Sequence, residues 1–146
     1  MSNLDHYKDD FILFAEAGFI AINQADEDAT RKLFKAAQLL NKENVLPKIG
    51  IGYLHLHKLE LEESIKCFKE VLKKEPDNEM AKALFGICKT MTPDGVTEGE
   101  NILTQTSHST DKEIKNLSTT ALDFMDKFIK KEPTPAELQK VKKKEQ

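Results

Sequence analysis

The residues that could do chemistry in this 146-residue chain are few, and their spacing fits almost none of it. Its histidines are His6, His55, His57 and His108. His55 and His57 stand two apart, so on a helix they point in different directions. A zinc-binding pair needs i, i+4 spacing, as in HExxH. The two cysteines, Cys67 and Cys88, lie 21 residues apart with no CxxC spacing. They read as reduced core thiols in a reducing compartment. Cys88 follows Ile87 on a helix face, with no nearby histidine to activate it. There is no GxxxxGK[ST], no GxGxxG after a strand and no GxSxG, so a phosphate cradle, a dinucleotide loop and a nucleophile elbow all lack their residues. The Ser/Thr-rich stretch 104–110 reads as a loop between helices. The expectation is a protein that is not an enzyme and takes no metal and no cofactor.

Composition narrows the partners. The chain is 39% hydrophobic and 32% charged, with a formal net charge of −3, so no overall basic field invites nucleic acid. Residues 1–30 carry seven acidic side chains and one lysine. The other end is basic, with Lys140, Lys142, Lys143 and Lys144, and reads as a solvated tail. No apolar run reaches the ~18 residues of a membrane span. The most apolar stretch, 11–22, is interrupted by Glu16 and follows Asp9–Asp10, the wrong flank for a secretory signal. A cytoplasmic protein without membrane insertion is expected.

The elements that must position any binding residues follow a repeat. Gly18, Gly52 and Gly86 are spaced by 34 and 34, and Phe34 is matched by Phe68 at the same step. Ala17, Ile51 and Phe85 also line up, as do Ile20, Leu54 and Cys88. Each unit reads as two helices. In the second, Leu46–His57 and Glu62–Lys74 flank a short turn, with Ile65, Phe68, Val71 and Leu72 on one face. Pro76 stops that unit and Asp77–Asn78 turns the chain. The first unit reads as Tyr7–Asn23 and Asp26–Leu40. The third reads as Glu79–Met91 and Thr97–Thr106, broken at Thr92–Gly95. Glycine in a helix middle costs roughly 1 kcal/mol against alanine. Three in register predict helices that approach where a Cβ would clash. Asp111–Lys131 reads as a further helix with Ile114, Leu117, Ala121, Phe124 and Phe128 on one stripe, widened by Leu122, Met125 and Ile129, which caps the last repeat or, alternatively, binds a partner. One domain over 1–132 and a mobile basic tail over 133–146, with Pro133 and Pro135, complete the expectation.

The second unit resembles a tetratricopeptide repeat. The family pattern of glycine, small residue, aromatic, small apolar residue and proline falls on Gly52, Ser64, Phe68, Val71 and Pro76. The first unit matches at Gly18, Phe34 and Ala37 and lacks the proline. The third keeps Gly86 and has Ile102 where the aromatic belongs. The resemblance spans roughly 10–106 and implies an all-α, tetratricopeptide-like superhelix of about three helix-turn-helix repeats plus a C-terminal capping helix.

In that family the first helices of each pair line a concave face. Carried over, its positions are Ile12, Ala15, Phe19 and Ile22, then Leu46, Ile49, Tyr53 and Leu56, then Met80, Ala83, Ile87 and Thr90. All but Thr90 are apolar or aromatic. Since Phe14, Ala17, Gly18 and Ala21 already offer a face for the partner helix, this second apolar face needs a cover. An amphipathic helix laid in the groove would supply it. The chain's own C-terminal helix or a second copy could fill it instead. Ala15, Phe19, Ile49 and Tyr53 also leave no charged donors for gripping a carboxylate, as the Lys and Asn of chaperone-tail receptors in the family do.

Chain length, the acidic start, the segment 81–88 followed by a Pro-Asp turn, and the helix with Ala121-Leu122-Asp123-Phe124 look like the small repeat chaperones of bacterial type III secretion, closest to that of the needle subunit. The resemblance implies a bacterial cytoplasmic chaperone that holds the amphipathic helix of a secreted needle-type protein, beside a second small helical co-chaperone. The alternative is a repeat scaffold that assembles proteins without sequestering a cargo.

Overall fold

The computed structural model describes residues 9–130 and 143–144. The start of the first helix at Tyr7 and the 133–146 tail, save Lys143 and Lys144, lie outside the described residues.

Among those residues the fold is all-helical, without strands. Helices α1 (Phe11–Asn23) and α2 (Glu27–Leu40) form the first hairpin. Helices α3 (Leu46–His57) and α4 (Leu61–Lys74) form the second, and α5 (Glu79–Thr90) and α6 (Val96–Thr106) the third. Helix α7 (Lys112–Phe124) follows. This is the tetratricopeptide-like arrangement of helix-turn-helix units with a capping helix. Successive helices touch, and α1, α3, α5 and α7 also touch in series. The first helices and α7 therefore make one layer, with α2, α4 and α6 behind it.

Local chemistry sets the ends. The Asp26 carboxylate accepts from Ala29 N at 3.0 Å, Asn78 Oδ1 from Ala81 N at 2.9 Å, and Asp111 Oδ1 from Glu113 N at 2.9 Å, each satisfying a donor that the helix start leaves orphaned. The turns within the first two hairpins place Ala25 at φ 57° and Leu59 at φ 59°. Both are left-handed, a conformation that costs an L-residue about 1–2 kcal/mol. They stand one 34-residue step apart, and the next step lands on Pro93.

Two of the three repeated glycines, Gly18 and Gly52, behave as their spacing predicts; at Gly86 a Cβ would come no closer than 3.1 Å to side-chain carbons. A Cβ on Gly18 would lie 2.7 Å from Phe34 Cζ, and one on Gly52 2.7 Å from Phe68 Cε1. Both rings are fully buried and fill these notches. Phe34 is also pressed by Gly50 of the next hairpin, so one ring joins two repeats. Ser64, fully buried, donates to Gly52 O at 2.7 Å and ties α4 to α3.

The helix expected to run from 111 to 131 keeps α-geometry only to Phe124. Met125–Ile129 is a π-turn. Met125 is buried there, while Phe124 and Phe128 of the expected stripe are exposed. Ile114 keeps its place inside, and buried Ser118 meets Thr106 of α6, oxygen to oxygen, at 2.6 Å.

Candidate partner-binding groove

The layer formed by α1, α3, α5 and α7 encloses an open groove of about 400 Å³. Phe19, Leu46, Ile49, Tyr53 and Met80 of the expected set line it. Leu84, Glu113 and Leu117 complete the lining. Phe19 packs edge-on against Phe34 with ring centroids 5.1 Å apart, and lies 6.0 Å from Tyr53. Tyr53 is in turn met edge-on by His57 at 4.5 Å. These contacts hold the aromatic floor from beneath while leaving Phe19 and Tyr53 half-buried.

The remaining expected positions separate. Ala15, Ile22, Leu56 and Ala83 are buried between helices and face no opening. Ile49 is also almost wholly buried, at 2% exposure, and contributes only a small part of the floor. Ile12 is exposed and stands apart from the groove lining. Ile87, half-buried, lines a second hollow of about 320 Å³ together with Thr90, Leu117 and Ala121. Thr90 turns its hydroxyl inward, donating to Ile87 O at 2.7 Å. Leu117 borders both hollows.

Sequence reasoning missed Glu113 and Leu117 as groove residues because the stripe of α7 reads as a cap, a partner-binding helix or a filler of the groove, and not as one of its walls. The signal was present: Leu117 stands 34 residues after Ala83, and Glu113 34 after Glu79. In phase with the earlier first helices, α7 extends their layer and forms a wall of the groove.

Ion pairs stud the surface away from the groove. On the side of α2 and α4, Arg31 pairs with Glu27 at 3.0 Å, and Lys48 meets Glu70. Lys58 bridges Glu27 and Glu60, and His55 Nδ1 lies 2.9 Å from Glu60. Hydrogen bonds from Lys58, and then from His55, hold the Glu60 carboxyl below its usual range. Burial pushes both cysteine thiols up, away from the reactive thiolate.

No described helix is long and apolar enough to cross a membrane. A stretch of 60 residues is 35% identical to RNA polymerase-associated protein CTR9 of Caenorhabditis elegans, covering 41% of this chain and 5% of that protein. The chain thus spans a small part of that relative, which contains tetratricopeptide repeats. No protein-family model matches the chain. No solved structure matches it either. The likeness goes with a helical-repeat architecture.

Proposed function

We propose that this chain is a non-enzymatic binding module that holds an amphipathic helix of another polypeptide in the groove between α1, α3, α5 and α7. The observation that carries this reading is the lining itself. Apart from Glu113, every lining residue is apolar or aromatic, in an opening that the described residues do not fill. Such a surface stays in water only at a cost, and contiguous apolar patches commonly mark interaction sites. The occupant's secondary structure follows from what the lining lacks. An extended peptide needs partners for its N–H and C=O groups, and apolar side chains offer none. A helix satisfies its own backbone and needs only apolar anchors at i, i+3/i+4 and i+7.

In its specific form the module is a bacterial cytoplasmic chaperone. It would keep a secreted needle-type protein from self-association by covering that protein's helix, beside a second small helical co-chaperone. The resemblance in the repeat segment and the capping helix supports this form. A scaffold that joins proteins without sequestering a cargo is the second reading, favoured by the likeness to part of a polymerase-associated protein. Co-expression separates them: a chaperone forms a defined 1:1 or 1:1:1 complex with its cargo and is poorly behaved alone, whereas a scaffold is a stable monomer.

The groove is tested by Phe19→Asp and Tyr53→Asp. Each puts a charge into the apolar floor, and each should weaken capture of the co-purified partner by more than tenfold, with helicity near normal by circular dichroism. Equal capture by both variants and the wild type would remove the groove from the function.

A further inference from the structure

Charge is unevenly placed around the groove. Glu113 is its one charged lining residue among those described. It stands in the first turn of α7, where the helix dipole favours an anion. No ion pair among the described residues involves Glu113; Lys48 of α3, Lys74 of α4, and Lys82 and Lys89 of α5 are engaged instead with Glu70, Glu43, Asp77 and Glu98. Lys112 and Lys115 flank Glu113 at one and two positions, spacings that point away from it on a helix, and both are exposed. An apolar floor therefore carries one carboxylate, Glu113, with no lysine or arginine in its lining.

We infer that the groove selects an amphipathic helix whose apolar stripe is flanked by lysine or arginine, with Glu113 as the selecting residue. This rests on the groove being the binding site. The apolar anchors would supply most of the affinity, and Glu113 the choice among helices and their orientation. A helix with acidic flanks would bring like charges together at the edge of a partly desolvated surface, which rejects wrong partners more strongly than a correct pair attracts.

The test uses three synthetic helical peptides of about 18 residues, ~27 Å long as helices. They share one leucine stripe and differ only in flanks of lysine, glutamine or glutamate. Binding to the full chain is read by fluorescence anisotropy. The expected order is lysine, then glutamine, then glutamate, each step weaker by about threefold. Added salt should weaken the lysine peptide alone, since screening acts on exposed charges. Glu113→Gln should bring the lysine peptide to the glutamine level, and Glu113→Lys should reverse the order. Circular dichroism shows whether either variant is folded, and the salt series on the wild type tests the same attraction without any substitution. Equal binding of all three peptides overturns the charge selection and leaves the groove reading standing. No binding by any of them overturns both. A self-associated chain that releases its second copy only in the Tyr53→Asp variant overturns both as well, by making that copy the occupant.

Discussion

The first two hairpins and the third solve the same packing problem differently. In α1–α2 and α3–α4, a phenylalanine ring fills a notch opened by one glycine: Phe34 over Gly18, and Phe68 over Gly52. In α5–α6 the ring is absent, and Ile102 and Leu103 stand near Gly86. A Cβ there would meet their side-chain carbons at 3.1 Å, a contact they can relieve by small shifts. The close approach has moved to Gly99, where a Cβ would lie 2.6 Å from Gly86 O and 2.7 Å from Thr90 N. Backbone meets backbone in place of ring meeting backbone. The turns differ for a related reason. Ala25 and Leu59 adopt left-handed φ, but Pro93 at the equivalent step cannot, because its ring fixes φ near −65°. The third hairpin therefore reverses through a longer segment and starts its second helix only at Val96. An equal period in sequence does not require an equal contact in space.

The largest expected effect separates ring-filled from ring-free hairpins. Phe34→Ala and Phe68→Ala each remove a fully buried ring, and should cost about 3–5 kcal/mol in urea unfolding. Phe34→Ala should be the worse, because that ring also contacts Gly50 of the next hairpin. Next comes the glycine pair of the third hairpin. Gly99→Ala forces two backbones apart and should destabilise by roughly 1–3 kcal/mol. Gly86→Ala asks only side chains to move, and recovers up to ~1 kcal/mol of helix propensity, so it should be near neutral. If Gly86→Ala proved the more damaging, the 34-residue series would mark the contact point and the contrast between hairpins would collapse. The smallest effect concerns how the units are tied together. Ser118→Ala removes a buried hydroxyl partner of Thr106 and should cost about 0.5–1.5 kcal/mol. Lys58→Met, which cuts an exposed ion pair between the first two hairpins, should leave the melting temperature almost unchanged.

Much of the architecture was legible in the sequence because its signals are local. The 34-residue step, the Phe pair, Pro76 and the 3.6-residue stripes mark six helices within a residue or two, save the start of the first, which is described from Phe11. Gly99 was not legible in the same way, since it falls outside the glycine series and its role depends on which helix lies across from it. The π-turn at Met125–Ile129 was missed because the 3, 4, 3, 4 spacing through Phe124 and Phe128 is a good α-helical stripe; what buries Met125 instead is the neighbouring structure. The groove was half legible. Spacing identifies a face of each first helix, but it does not say how closely neighbouring first helices approach. That approach buries Ala15, Ile22, Leu56 and Ala83, leaves Ile12 outside the groove, and brings Glu113 and Leu117 from α7 into the wall.

The left-handed turns at Ala25 and Leu59 bear on how the molecule divides. Neither alanine nor leucine selects that conformation unaided, so each reversal persists because the helices on either side are held together by buried rings. Phe34 is gripped by glycines from two hairpins at once. A fragment cut to one hairpin would lose part of that grip and, with it, the reason for its turn to stay closed. The chain accordingly folds as a cooperative array, in which no single pair of helices is a miniature of the whole.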